Sequence, residues 1–400
     1  MTEAATEFPM TRGRCPFDPP PELGRRQRDE PVSRARIWDG SEPWLFTRYE
    51  DVRAMLADPR VSADTDLPGY PSQTPGIKAR RSRFKSFIGM DDPEHAAQRR
   101  LLTGDFMVKK IERMRPRIQQ VADELIDRML AGPRPADLVE ELALPLPSLV
   151  ICELLGVPYA DRDFFHRCSK VLVSRGASAD ESLAAGQELL DYLGRLVEKK
   201  LADPADDVLS RLATGQVATG EMTVGEAAAM GQLLLVAGHE TTANMIALGT
   251  VALLEHPDQL AAVRDADDAL LANAVEELLR YLTIVHSGRR RVALEDLEIG
   301  GCPVRKGDGL VAATDIANRD ETQFPEPDKL DVTRKARHHV AFGYGVHQCL
   351  GQPLARVELQ VVYRTLYRRI PTLRLAKPLE ELNFKHDMIV YGVHELPVTW

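Results

Sequence analysis

The sequence predicts a mainly α protein with short strands gathered toward the two ends of the chain. Helical periodicity runs from Arg117 to about Leu201 and, at its longest, from Thr223 to His256. Strand-like runs are brief. They fall near residues 36–46, around Gly300, Gly301 and Gly307, and from Asn383 to Trp400. A chain of 400 residues is long enough to bury a large core.

Taken in order, residues 1–30 are rich in Pro and Arg and are expected to lie along the surface, as a lead into a domain spanning residues 31–400. Arg36-Ile37-Trp38 and Trp44-Leu45-Phe46 flank Asp39-Gly40 and read as a hairpin. Tyr49 to Ala57 reads as a short helix. From Arg60 to Met90 the chain turns irregular, with Pro68, Gly69, Pro71, Pro75 and Gly76. A loop this long inside a compact protein tends to be functional. Its Lys78, Arg80, Arg81, Arg83 and Lys85, with Phe84, Phe87 and Ile88, make either a solvated basic loop or a substrate-contacting one.

Asp92-Pro93-Glu94 begins a helix that sets His95 and Arg99 four apart on one face. Lys109, Lys110, Arg113, Arg115 and Arg117 follow, as a solvated face or as a basic patch for an acidic partner. The pattern from Arg117 is broken at Pro145–Pro147 and at Pro158, and again between Ser174 and Asp180. The long pattern from Thr223 is apolar enough to suggest a membrane span. Gly238-His239-Glu240-Thr241-Thr242-Ala243-Asn244 at its middle excludes that and marks a buried central helix. Gly238 weakens the helix, and a Thr hydroxyl competes for backbone carbonyls, so the helix is expected to open locally beside a ligand. Ala274 to Tyr281 carries Glu277 and Arg280 at ion-pair spacing.

Near the end stands Phe342-Gly343-Tyr344-Gly345-Val346-His347-Gln348-Cys349-Leu350-Gly351. Its glycines allow a tight loop, and Pro353 opens the next helix. Cys349 is therefore delivered to a helix N-terminus, where unpaired N–H groups and the macrodipole favour a thiolate. An inert buried cysteine is the alternative.

Composition narrows the classes. A formal charge of −9 argues against general nucleic-acid binding. Five scattered cysteines without Cys-x-x-Cys suit a reducing compartment and exclude a disulfide scaffold or zinc ribbon. The first eight residues are partly acidic and lack an apolar run, so neither a signal peptide nor a membrane anchor is expected and the location expected is cytoplasmic. There is no Gly-x-Gly-x-x-Gly opening a nucleotide-binding unit and no internal repeat.

The pattern Phe342-x-x-Gly345-x-x-x-Cys349-x-Gly351 resembles the haem-binding loop of the cytochrome P450 superfamily, and the likeness extends over residues 35 to 400. It implies a roughly triangular, mostly helical single domain with a small β-rich lobe made from both chain ends. It further implies haem b (heme, iron protoporphyrin IX) with Cys349 as the thiolate ligand of the metal, pushing electron density toward O–O cleavage. His95, Arg99, Arg291 and His347 would offset the propionates, and Ala237, Gly238, Phe342 and Gly351 would lie at the cofactor. Glu240 and Thr241 match the family's acid–alcohol pair for proton delivery to the co-substrate dioxygen. Glu277, Arg280 and, as best match, Arg334 would be a structural trio that supports the cysteine loop. Residues 163–193 resemble the helix pair that lids the substrate pocket, and the tip Met388-Ile389-Val390 of a terminal hairpin would close it.

Arg81, Phe84, Ile88, Leu234, His286, Arg289, Ile389 and Val390 are the substrate candidates under this resemblance. His286, Arg289 and Arg290 are more polar than a stretch facing an apolar pocket should be. One outcome has Arg289 and Arg291 both reach the propionates while strand alternation turns Arg290 outward. The other has one of these cations, or Arg81, hold a polar substrate group. Leu155-Gly156-Val157-Pro158-Tyr159 and the His394–Trp400 ending resemble actinobacterial members acting on secondary metabolites, which implies a macrolide, terpenoid or sterol-like substrate. Electrons would come from a ferredoxin and its reductase, since the chain carries no flavin or nicotinamide unit. The implied reaction is monooxygenation. A peroxide-driven or ring-coupling haem enzyme is disfavoured by the Glu240-Thr241 pair, and a haem sensor by the lack of an output module.

Overall fold

The computed structural model describes residues 7–81 and 85–400, so Arg83 and the substrate candidate Phe84 lie outside the described residues. Residues 7–30 do not lie along the surface as the sequence reading expects; they thread into the body of the molecule. Phe8, Phe17 and Leu23 are buried. Arg12 stacks over the Tyr391 ring at 4.1 Å and donates to Phe17 O and Leu282 O at 3.2 and 3.4 Å. Composition misled here because Arg12 finds two of its partners, Leu282 and Tyr391, far along the chain. Helix α1 (Pro21–Asp29) takes Pro21 in its first turn, where no N–H is missed.

Strands β1 (Val32–Arg34) and β2 (Trp44–Phe46) form the expected hairpin, its regular part starting before Arg36 and its turn carrying Gly40 at φ 80°. Helix α2 (Tyr49–Ala57) stands where periodicity puts it. The stretch read as irregular contains β3 (Val61–Ser62) and α3 (Pro75–Arg80), the latter capped by Thr74 Oγ1 accepting from Ile77 N at 3.1 Å. Then come α4 (Glu94–Thr103) and α5 (Val108–Ala131). Helix α5 begins well before Arg117 and runs through Pro116. Its apolar face, from Ile111 to Met129, is buried, and that packing outweighs the proline's local cost.

After β4 (Ala136–Asp137), helix α6 (Pro145–Leu155) starts on the Pro-Leu-Pro that the sequence reading took as a break. Gly156 at φ 77° ends it. Helices α7 (Arg162–Leu172) and α8 (Ala179–Ala202) bracket the expected gap, and α8 opens on a Ser178–Glu181 capping box. Helix α9 (Val208–Leu212) leads to α10 (Val224–Leu254), which opens on a Thr223–Glu226 capping box. Helix α10 is unbroken through Gly238 and Thr241, so the expected local opening is absent. The glycine has another cause: a Cβ there would stand 2.7 Å from Ile151 Cγ1, so α6 and α10 meet at closer range than a side chain permits.

Helices α11 (Pro257–Arg264) and α12 (Asp268–Leu282) precede β5 (Arg289–Ala293), β6 (Leu297–Ile299), β7 (Cys302–Val304) and β8 (Gly309–Ala312). Helix α13 (Thr314–Ala317), the cysteine loop, α14 (Gln352–Arg369), β9 (Arg374–Leu375) and β10 (Pro397–Thr399) complete the chain. The main sheet has the order β1-β2-β8-β5-β3, with β2 and β8 parallel and the other pairs antiparallel. A second sheet runs β4-β10-β9 and a third pairs β6 with β7. One large apolar core joins α5, α6, α8, α10, α12 and α14, and two smaller clusters lie at the main sheet. Among the described residues no helix is long and apolar enough to cross a membrane.

Candidate active site

The cysteine loop is held by its own backbone. Gly343 N donates to Val340 O at 2.9 Å, Gln348 N to Gly345 O at 3.0 Å and Cys349 N to Phe342 O at 2.9 Å. Gly343 and Gly345 both have φ near 74°, and a Cβ on Gly345 would come within 2.4 Å of Leu56 O. Both glycines are thus demanded, one by conformation and the other also by contact with the end of α2. Cys349 precedes Gly351, the residue that caps α14. Burial pushes the thiol up, while Arg289, the Gly351 N–H, Arg99 and Arg356 pull it down. Cys349 keeps some accessible surface although it lies deep in the chain, so that surface faces an interior cleft.

Cations gather around this loop. Arg99 Nη2 donates to Gln348 O at 2.6 Å, Arg289 Nη2 to Ala341 O at 3.1 Å and Arg291 Nη1 to Arg290 O at 2.7 Å. These partners are backbone carbonyls; none of the three arginines forms an ion pair among the described residues. Burial lowers the affinity of all three for their protons. The His95 and His347 rings lie 4.1 Å apart. His95 Nδ1 meets Asp92 Oδ1 at 2.8 Å, whereas His95 Nε2, His347 Nδ1 and Arg289 Nε are buried without hydrogen-bond partners. Burial, then the charges of Arg291, His95 and Arg99, lower His347 to about 3. Unpaired buried cations are costly, so this set is built for an anion with several oxygens.

Above the loop, α10 is buried nearly throughout, yet Ala237 is exposed and Leu233, Val236 and Thr241 keep partial exposure. Positions 233, 237 and 241 fall on one helical stripe, which must therefore border the cleft. Leu234, the candidate taken from sequence, sits beside the stripe and is buried. Thr241 Oγ1 donates to Ala237 O at 2.7 Å, and Glu240 is buried at 8 % exposure. The midpoint of α10 reaches α14 behind Cys349. Thr242 there touches Glu358, whose carboxyl is pushed by burial up to about 8.

The other sequence-derived residues sort by strand alternation and by loop contacts. Arg289 and Arg291 share a face with the cation set. Arg290 is not turned outward: it is buried, donating to Pro71 O and Ser287 O at 3.0 and 3.2 Å. Burial lowers its affinity for its proton, to about 10. The polar-substrate reading thus loses Arg289 to the cation set. Arg81 has the Ser72 hydroxyl at 3.5 Å and stays near α3. Ile88 is exposed, whereas its neighbour Phe87 is buried against His95.

His286 is buried with Nε2 2.9 Å from Met388 O, so it anchors the terminal hairpin. That hairpin's tip is tied to the gap between α7 and α8. Ile389 N donates to Val173 O at 2.9 Å and Arg175 N to Asp387 O at 2.8 Å. Val390 is buried beside them and Ile389 is half-buried.

Arg80, which sequence reasoning left in a basic run, fastens α3 to the same region. It donates to Ser182 Oγ at 2.7 Å and Leu172 O at 3.1 Å. No local pattern announces it, because its partners lie about a hundred residues ahead.

The structural trio is assembled. Arg280 Nε and Nη2 donate to the two Glu277 oxygens at 2.7 and 2.8 Å, with both residues fully buried. Arg334 Nε meets Glu277 Oε1 at 3.1 Å. A second carboxylate, Glu276, escaped the sequence reading. It receives Arg356 Nε and Nη2 at 2.6 and 3.0 Å and tethers α14 to α12 just beyond the cysteine.

A family model described as cytochrome P450 matches residues 164–371. Cytochrome P450-SU2 of Streptomyces griseolus is 57 % identical over 386 residues, covering 96 % of this chain and 94 % of that protein. The crystal structure of GfsF superposes with a TM-score of 0.93 at 55 % identity, over 99 % of this chain and 100 % of that one. The crystal structure of mycinamicin VIII C21 methyl hydroxylase MycCI from Micromonospora griseorubida, bound to mycinamicin VIII, has a TM-score of 0.93 at 41 % identity. It covers 99 % of this chain and 100 % of that one.

Proposed function

This chain belongs to the cytochrome P450 family and is a P450 monooxygenase. From that premise we propose that it inserts one oxygen atom of dioxygen into a C–H or C=C bond of a bulky, mostly apolar secondary metabolite. Electrons would come from a ferredoxin and its reductase. The observation that carries the reading is the meeting of three features: a glycine-braced Cys349 at the start of α14, an unpaired cation set around it, and an accessible stripe on α10. The residues fit haem. Arg99, Arg289, Arg291, His95 and His347 supply donors for two carboxylates, and the orphaned ring nitrogens and Arg289 Nε gain acceptors. Once bound through Cys349, haem supplies the activation of dioxygen.

The chain's own residues then have separate tasks. The cation set fixes orientation by charge-assisted hydrogen bonds. The trio of Glu277, Arg280 and Arg334 holds the approach to the loop. Glu240 is the acid beside the cleft, and Thr241 offers a hydroxyl that can turn from Ala237 O to relay a proton. The tip at Met388–Val390, with α3 and the gap between α7 and α8, closes over the substrate and excludes water. The similarity to MycCI supports a large substrate of the macrolide, terpenoid or sterol-like kind. Residues 31–400 would act as one domain, with the buried part of residues 7–30 as an integral strap, and the location would be the cytoplasm.

Product formation with dioxygen and a reductase pair, set against peroxide alone, tests the reaction class. Turnover with peroxide only would replace monooxygenation by a peroxide-driven reaction, and no turnover with either would favour a sensor. A screen for substrate-induced changes of the haem spectrum tests the substrate class.

Two further outcomes are expected. Thr241→Ala should keep consuming reductant while peroxide replaces most of the product, because the hydroxyl that passes protons is gone. Unchanged coupling of product to reductant would count against the acid–alcohol pair. Lys109 and Arg113 are exposed and free of ion pairs among the described residues, unlike Lys110, Arg115 and Arg117. They stand near exposed Met107 and Val108 on a helix that bonds α14 through Arg115 and Gln360. Reversing both charges should slow reduction by an acidic ferredoxin, and salt should slow the wild type. Reduction rates independent of salt would remove this docking face.

A further inference from the structure

His239, next to Glu240, has no role in the mechanism so far. Its ring is fully buried on α10, with Nδ1 donating to Leu235 O at 2.7 Å. In the neutral ring the lone pair then sits on Nε2. That nitrogen is buried without a hydrogen-bond partner, and Glu240 Oε1 lies 3.8 Å away. A carboxylate oxygen and an imidazole lone pair facing each other repel. One proton between them turns the contact into a hydrogen bond.

The surroundings decide where that proton rests. From α7, Phe165 and His166 pack against the ring at 5.8 and 5.2 Å, with Arg162 and Asp163 beyond His166. His166 Nε2 is engaged by Ser148 Oγ at 2.8 Å, and the Ser148 hydroxyl donates to Leu144 O. From the terminal hairpin, Lys385 is the cation that faces both Glu240 and His239, with Lys170 and Asp387 near it in turn. Helix α6 brings Ile151 against Gly238 and the neutral Ser148 against His166, and Glu358 of α14 faces Thr242 instead. Burial holds His239 and His166 low, each at about 4, and Lys385 opposes a second positive charge on His239. The imidazolium is excluded from two sides.

We propose that His239 is a positioning residue for Glu240: its Nε2 lone pair accepts a hydrogen bond from the Glu240 carboxyl group and fixes that acid until its proton is drawn toward Thr241. This rests on the reading of Glu240 as the proton-donating acid. When the proton leaves, the Glu240 O–H bond breaks and its electron pair stays on the carboxylate. A solvent proton then forms a new O–H bond and resets the pair. The Nδ1–H bond of His239 is never broken, and the ring ends each cycle unchanged.

The test uses the holoenzyme. Infrared difference spectra of the wild type should show a protonated-carboxyl band, assigned by its loss in Glu240→Gln, at the lowered frequency of a carboxyl group hydrogen-bonded to nitrogen. In His239→Phe that band should move to the frequency of a carboxyl group without a nitrogen acceptor, and coupling of product to reductant should fall about tenfold. His239→Gln, which restores an acceptor, should recover part of both. An unchanged band and coupling profile in His239→Phe, with Glu240→Gln still uncoupled, would overturn the pairing and leave the acid in place. Normal coupling in Glu240→Gln would bring down both readings. Should His239→Phe misfold, nitrogen NMR of the wild-type reduced carbon monoxide complex decides the same point. Nε2 must be an acceptor at neutral pH, and an Nε2 that carries hydrogen would overturn the proposal.

Discussion

Replacing Cys349 with alanine is expected to abolish turnover and to remove the red-shifted Soret band of the reduced carbon monoxide complex. No other thiol can take its place: Cys152 and Cys168 are buried in the helical core, Cys15 is exposed, and Cys302 belongs to β7. The cation set is untouched by the substitution, so haem should still be retained in part, held by its carboxylates and its apolar faces. The expected spectrum is therefore that of haem without a thiolate. A wild-type spectrum typical of histidine ligation in active protein, or a mutant that keeps the red-shifted band, would remove Cys349 from the metal. His95 and His347 are the nearest imidazoles to check in that event, since their rings already lie together at the loop.

Arg280→Ala should be the most damaging substitution outside the cleft. It leaves the Glu277 carboxylate fully buried with Arg334 as its one remaining ion-pair partner among the described residues. It also frees the carbonyls of Asn318 and Pro327, each of which accepts from Arg280 at 2.9 Å. Breaking a buried pair from one side costs about 3–5 kcal/mol, a large share of the roughly 5–15 kcal/mol that holds a typical protein folded. Denaturant midpoints should fall accordingly, and the mutant should lose haem on mild heating. The double change Glu277→Gln with Arg280→Met should be less harmful than Arg280→Ala alone, because no uncompensated charge remains. A stability equal to wild type in the single mutant would show that water or Arg334 takes over the carboxylate.

What could be read from the sequence was what is local. The loop at Cys349 announces itself because its glycines, cysteine and following proline lie within twelve residues and each answers a backbone demand. Helix α10 is legible because 31 residues repeat one pattern between a capping box and a proline. Glu277 and Arg280 are one helical turn apart. Features built from distant partners were not legible. Arg12 reads as a surface arginine until Leu282 and Tyr391 come to it. Pro145 reads as a breaker because sequence alone does not say on which side of a proline a helix lies. Gly238 reads as a weak point in α10, and only the approach of Ile151 shows it to be a point of tight packing. His239 was passed over because an unshared lone pair has no signature in a string of letters.

The strand pairings also set a timetable for making the protein. β2 lies parallel to β8, with Trp44 opposite Leu310, and β4 pairs with β10, with Asp137 opposite Pro397. The 260 residues from Leu138 through Pro397 take about 13–50 s to synthesise at about 5–20 residues per second. The edge of β4 waits through that interval for β10, while the edge of β2 and the apolar residues of the N-terminal strap wait until β8 and the residues after it emerge. The nascent chain is thus exposed to self-association for most of its synthesis. Yield in a foreign host should depend more on translation speed and chaperone supply than on the stability of the finished fold, and slower growth after induction should raise the soluble fraction.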